Sequence, residues 1–169
     1  MRSVRAVVVY ESLWGNTAAV ARAIAEGLGP ETRCLSTLEA TPDAIAGVDL
    51  IVAGSPVIAF RMPNRKTRES LGQESGAPQA PDLSHPPMQE WLAALTPGRG
   101  RSAAFDTRVR GPFGSAAPTI ARALHDAGYE PIAKSRGFIV TGKYGPPHEG
   151  EIERAREWGA ELAEAVLGS

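Results

Sequence analysis

One cysteine, Cys34, stands in 169 residues. It has no partner for an internal disulfide and no companions for a thiolate metal site. Its setting, Thr32-Arg-Cys-Leu35, reads as a strand, so a structural thiol is expected rather than a nucleophile. A charge excess is also missing, since 18 basic against 19 acidic residues leave a formal net charge of −1. Nucleic-acid binders usually carry a strong basic excess, which sets that class aside. No apolar run approaches the roughly 18 residues that a membrane helix needs. Arg2 and Arg5 precede an apolar run, Ala6 to Val9, that is too short for a signal peptide, and a cytoplasmic protein without a membrane span is expected. His85, His125 and His148 share no metal-ligand spacing, and neither Ser12 nor Ser55 sits in a Gly-x-Ser-x-Gly elbow. Neither a metal centre nor a Ser-His-Asp set is expected, and no catalytic side chain is nominated.

What is present is an ordinary globular composition, 43% apolar and 22% charged. The length suits one domain over residues 1–169. Val4 to Tyr10 has no polar alternation after Arg5, the pattern of a strand buried on both faces. A glycine turn follows, then a helix from about Thr17 whose stripe is Val20, Ile24 and Leu28, stopped by Gly29-Pro30. Further strands are expected at Arg33–Leu38, Asp49–Gly54 and Ser102–Phe105, with a broken fifth at Tyr129–Ala133 and Phe138–Thr141. Thr41-Pro42-Asp43 opens a short helical turn, Ser115 caps a helix ending at Gly128, and Glu149–Leu167 forms the last helix. Its inner face is Ile152, Ala155, Gly159, Leu162, Ala163 and Val166. Such alternation predicts an α/β fold, a doubly wound five-stranded parallel sheet of order 2-1-3-4-5 with helices on both faces.

Arg61 to Gly100 breaks the rhythm. A basic cluster (Arg61, Arg65, Lys66, Arg68) leads into a Gly/Pro/Ser/Gln-rich segment at Gly72–Pro87 and then a helix at Met88–Leu95. So long a connection is usually functional or mobile. Trp91 and Trp158 fall at helix positions that read as packing.

In an open parallel sheet, ligands bind beyond the carboxyl ends of the strands, where the strand order reverses. Three loops should meet there: Glu11–Thr17, Ser55–Met62 and Asp106–Gly114. In the first, Ser12 and Thr17 supply hydroxyls, Gly15 lets the backbone approach, and Asn16 offers an amide, all at a helix N-terminus suited to phosphate. No lysine of a nucleotide-triphosphate P-loop is present. The same residues also suit plain turn formation and helix capping, and spacing alone leaves both readings open.

Ser12-Leu-Trp-Gly-Asn-Thr17 after the first strand resembles the flavodoxin phosphate loop, and Asp49-Leu-Ile-Val-Ala-Gly-Ser-Pro56 resembles that family's third strand and second flavin loop. The resemblance covers nearly the whole chain and implies a bound FMN. Ser12, Leu13, Trp14, Gly15, Asn16 and Thr17 would hold its phosphate; Pro56, Val57, Ile58 and Phe60, with Asp106, Thr107 and Arg108, would flank its ring. Three features depart from the family pattern. Trp14 replaces a usual threonine, no tryptophan or tyrosine follows Pro56 closely (Phe60 being the available aromatic), and Phe105–Gly111 lacks Gly-x-Gly-Asp.

Flavodoxin carriers are typically very acidic, whereas the rim expected here carries Arg61, Arg65, Lys66, Arg68, Arg108 and Arg110 against Glu11 and Asp106. Positive charge favours a reduced, anionic flavin and attracts anionic substrates. The expectation is an FMN oxidoreductase passing electrons from NAD(P)H to a quinone-like or protein acceptor. An electron-carrier flavodoxin and a flavin-free binding module stay open beside it, as does the oligomeric state.

Overall fold

The first strand carries no charged side chain, and in the computed structural model it lies inside the sheet with a strand on each side. The structure describes residues 3–74 and 76–169; Arg2, and Ser75 of the Gly72–Pro87 segment, lie outside the described residues. β1 (Ala6–Tyr10) runs between β2 (Arg33–Ser36) and β3 (Leu50–Pro56), and β4 (Arg101–Val109) pairs with β3, all parallel. Two short strands share the fifth position. β5 (Glu130–Pro131) pairs with Arg101–Ser102, and β6 (Arg136–Val140) with Phe105–Val109. The order β2-β1-β3-β4-β5, with β6 also on β4, is the doubly wound sheet the sequence predicts, broken last strand included.

Each sheet face has its own core. α1 (Asn16–Leu28) and α6 (Glu151–Leu167) cover one, closing Val8, Ile24, Leu50, Phe105, Phe138 and Trp158 together. α2 (Pro42–Ile45), α4 (Met88–Ala93) and α5 (Ala117–Asp126) cover the other, over Val7, Val9, Ile51, Met88, Trp91, Ile120 and Leu124. Fully burying each large aliphatic or aromatic side chain contributes about 1.5–3 kcal/mol. Both tryptophans are packing residues, as expected. Crossing of α1 and α6 depends on small residues, because a Cβ on Gly159 would run into the Ile24 carbonyl and one on Gly27 into that of Arg156. No helix among the described residues is long and apolar enough to cross a membrane.

Three expectations need correction. The 61–100 connection is not irregular throughout: besides α4 it contains α3 (Arg65–Gly72), opened by Asn64, whose side chain accepts from the Thr67 amide at 2.8 Å. β4 does not stop at Phe105 but runs to Val109, so Asp106, Thr107 and Arg108 lie on a strand rather than in a loop. Finally, Ser115 does not cap α5. The Asp106 carboxylate reaches from β4 to accept the Ala116 and Ala117 amides at 2.8 and 2.9 Å, an acceptor from across the fold for two N–H groups that the helix cannot satisfy itself.

Candidate functional site

β1 delivers the chain to the carboxyl edge of the sheet, where Gly15, at φ +95°, turns it into α1. Only a residue free of Cβ strain takes this left-handed conformation cheaply. Ser12 Oγ accepts the Gly15 and Ala18 amides at 3.1 and 3.2 Å, so the capping reading of Ser12 is correct as far as it goes. It leaves the amides of Leu13, Trp14, Asn16 and Thr17 without an acceptor among the described residues. Unpaired N–H groups at the positive end of a 13-residue helix suit an anion. The Thr17 hydroxyl is paired with that of Thr107 at 2.8 Å, which ties the loop to β4.

This loop opens on a cavity of about 540 Å3, a size within the range of cofactor sites. Of the residues expected at the site, Ser12, Leu13, Trp14, Asn16, Thr17, Pro56, Val57, Ile58, Phe60 and Thr107 line it. Gly15, Asp106 and Arg108 do not. Gly15 belongs to the loop as its turn. The other two are misplaced by the loop assignment: on a strand the pleat alternates, and Thr107 and Val109 face the cavity while Asp106 and Arg108 do not. Asp106 is fully buried and holds Arg108 by two bonds, at 2.6 and 2.7 Å. The Arg108 charge is therefore spent on a carboxylate instead of facing a ring.

Across from the phosphate loop, Ile58 and Arg61 exchange backbone hydrogen bonds at 2.9 and 3.3 Å around Ala59 and Phe60. Those two non-glycine residues sit at φ +51° and +74°, a conformation costing about 1–2 kcal/mol each. The turn presents Phe60, 64% exposed, with its ring centroid 6.4 Å from that of Phe113. Gly114 lies behind, where an added Cβ would strike the Phe60 carbonyl. Gly114→Ala is accordingly expected to cost about 1–3 kcal/mol and to displace the Phe60 turn. An unchanged urea midpoint would show that the two loops are not wedged together.

Two further walls of the cavity come from outside the three loops expected to meet there. Thr67, Ser70, Leu71 and Glu74, from α3 and just beyond it, form one; its only signal was Asn64 placed as a cap three residues before Thr67. Val140 and Lys143, at the end of β6, form the other, with Lys143 bound to Glu74 at 2.7 Å. Trp14 does not reach into a phosphate position. Its indole N–H donates to the Gln79 carbonyl at 3.1 Å, and its ring meets Tyr144 edge-on at 4.8 Å.

Gln79 belongs to residues 76–87, a strap along the outside of the phosphate loop. The Asp82 amide donates to the Leu13 carbonyl at 2.8 Å, and the Ser12 amide donates to His85 Nε2 at 3.0 Å. Under the strap sits a buried polar cluster. Glu11, placed by the sequence on an exposed rim, is wholly inaccessible; one carboxylate oxygen accepts the Met88 amide at 2.9 Å and the other lies 3.7 Å from Arg68 Nε. Arg68 is itself buried and donates to the His85 carbonyl at 2.6 Å. Burial pushes the Glu11 carboxyl up to about 7 and lowers both Arg68 and His85. With Arg65 on Glu90 and Arg108 on Asp106, half of the expected basic rim is committed to carboxylates. Cys34 is half-buried on β2, and burial raises its thiol to about 11, leaving it unreactive.

A larger depression of about 640 Å3 lies at the opposite edge, among Val4, Asp49, Gly98 and Arg101. It sits at the amino ends of the strands, away from the loops where this architecture binds ligands.

No protein-family model matches the sequence, and no curated protein matches it. Solved structures do. A flavodoxin from the domain Archaea superposes with a TM-score of 0.67 at 23% identity, over 96% of this chain and 98% of that one. A WrbA-like flavodoxin from Agrobacterium tumefaciens gives 0.61 at 19% identity, over 98% and 99%. A flavodiiron core from Synechocystis gives 0.63 at 18% identity, over 98% of this chain but only 36% of that one. At such identities the likeness is one of fold. By its strand order, its layers and the placing of its loops, this chain has a flavodoxin-like fold.

Proposed function

We propose that the chain binds one FMN in the 540 Å3 cavity and works as a redox protein. One observation carries the reading: the amides of Leu13, Trp14, Asn16 and Thr17, in and just before α1, have no acceptor among the described residues, and all four residues line that cavity. The amides of Leu13, Trp14, Asn16 and Thr17 would hold the phosphate, and Pro56–Phe60 with Thr107 would enclose the ring end. FMN, when bound, supplies reversible one- and two-electron chemistry; the protein supplies binding, orientation and electrostatics. Val57, Leu71, Val109 and Val140 give the cavity an apolar lining, and the exposed Phe60 and Phe113 leave an apolar approach to it. Names of structural relatives support a redox role, since one is an oxidised flavodoxin from Bacillus cereus and another a two-electron reduced flavodoxin from Megasphaera elsdenii.

The electron donor in this reading is NAD(P)H and the acceptor a quinone-like molecule or a redox protein. Arg61, Lys66 and Arg110, all exposed, are what remains of the basic rim that would favour an anionic donor. Anaerobic mixing of the FMN-loaded protein with NADH or NADPH tests it. Bleaching of the flavin within seconds is the expected result. An oxidised spectrum that persists with both nucleotides would make the protein a carrier charged by another reductase.

A further inference from the structure

The phosphate loop itself contains no cation, yet a buried guanidinium stands behind it. Arg68 reaches from α3 under the strap. It is one hydrogen bond from His85, whose ring accepts the Ser12 amide, and 3.7 Å from the Glu11 carboxylate. Neither Arg68 Nε nor the facing Glu11 Oε2 has a hydrogen-bond partner among the described residues. The two atoms form an ion pair but no hydrogen bond, and buried polar atoms without one are costly. Glu11 and Ser12 are consecutive, so the pair sits next to the cradle.

We propose that Arg68, which does not line the cavity, supplies positive charge to the phosphate cradle from behind the loop, and that Glu11 takes up a proton from solvent when a phosphate monoester binds there. This rests on the FMN reading above. With Glu11 ionised, Arg68 is neutralised and the cluster offers the ligand no net charge. With Glu11 protonated, the Arg68 charge is free to complement the phosphate. An arriving dianion repels the carboxylate and attracts the guanidinium, so both interactions drive the same step: carboxylate plus solvent proton gives carboxylic acid. Other charged groups that face the cluster are few. Glu90 on α4 is held by Arg65, Asp82 on the strap lies 3.9 Å from His85, and His85 is kept neutral by burial and by Arg68. Protonation of His85 would remove the acceptor for the Ser12 amide, so the strap keeps the loop in shape only while that ring is neutral.

Calorimetric titration of the apo-protein with FMN, in buffers of different ionisation enthalpy, counts the protons taken up. The phosphate of FMN titrates near 6 and is almost wholly dianionic at pH 7.5, so the readout there is the difference between wild type and Glu11→Gln. Wild type is expected to take up roughly half a proton more per FMN at pH 7.5 and almost none more at pH 5.5, where Glu11 is already protonated. Equal uptake by the two proteins at pH 7.5, with FMN bound to both, would overturn the proposal while sparing the FMN reading. Failure of the wild type to bind FMN at any pH would overturn both. Arg68→Met provides an independent check that does not require Glu11→Gln to fold. It is expected to weaken FMN about tenfold and leave riboflavin, which lacks the phosphate, unaffected. Equal weakening of both ligands would make Arg68 a purely structural residue.

Discussion

Asp106→Ala will destabilise the protein by about 3–5 kcal/mol, the range for removing one partner of a buried, hydrogen-bonded charge pair. Asp106 is wholly buried and accepts four bonds, two from Arg108 and two from the first amides of α5. Alanine leaves the Arg108 guanidinium, part-buried beside Gly137, without its carboxylate, and leaves two helix amides without an acceptor. Those two losses act on adjacent elements, so β4, β6 and α5 should loosen together. Urea unfolding measures the loss, and hydrogen exchange at Ala116 and Ala117 locates it. Asp106→Asn, which keeps the volume and one good acceptor, should lose about half as much. A loss under about 1 kcal/mol for alanine would mean that the start of α5 is held by packing alone.

Glu11→Gln has the opposite sign at high pH. A carboxyl raised from its ordinary 4.5 to about 7 in the folded protein contributes stability that is fully present below pH 4.5 and is lost as pH rises through 7. The shift corresponds to about 3 kcal/mol at 1.36 kcal/mol per unit. Glutamine keeps the acceptor for the Met88 amide and never ionises. The variant should therefore be more stable than wild type at pH 8, by up to about 3 kcal/mol, with the gap closing toward pH 4.5. That net shift already includes the opposing pull of Arg68, whose charge favours the ionised carboxylate. Denaturation curves at pH 4.5, 6 and 8 check this sign. A variant less stable than wild type at pH 8 would show that the Arg68–Glu11 attraction outweighs the desolvation of the carboxylate.

The sequence carried the fold well because its strongest signals are periodic. Val7 to Val9 have no polar alternation and are fully buried, and Ala155, Gly159 and Leu162 keep helical spacing and pack against α1. Ser12–Thr17 was legible because a glycine turn between a buried strand and an amphipathic helix leaves few alternatives. The misreadings share a cause, which is that charge pairing makes a polar residue behave as a buried one. Asp106-Thr-Arg-Val109 looked like a loop through its two charged residues. Those two neutralise each other on one face while Thr107 and Val109 occupy the other, so the period of two was present but masked. α3 shows no apolar stripe because its buried residues are Leu71 and Arg68, and Arg68 is buried between the His85 carbonyl and Glu11, 57 positions away in the chain and 3.7 Å away in space. Nothing in the local sequence near Arg65–Gly72 indicates that partner.

Phe60 was legible as an aromatic behind Pro56, but its left-handed backbone was not, since neither Ala59 nor Phe60 favours it. The strain there is sustained by the hairpin bonds between Ile58 and Arg61 and by Gly114 against the Phe60 backbone. A strained turn held from two sides beside a cavity is the usual mark of a binding loop.

The central claim, that this cavity holds FMN by its phosphate, is tested most directly by titrating FMN with apo-protein and following flavin fluorescence, with riboflavin as the comparison. The account predicts saturable quenching at one FMN per chain and riboflavin binding at least about tenfold weaker, since the amides of Leu13, Trp14, Asn16 and Thr17 then have no anion to hold. FMN fluorescence indifferent to the protein, or equal affinity for FMN and riboflavin, would contradict it.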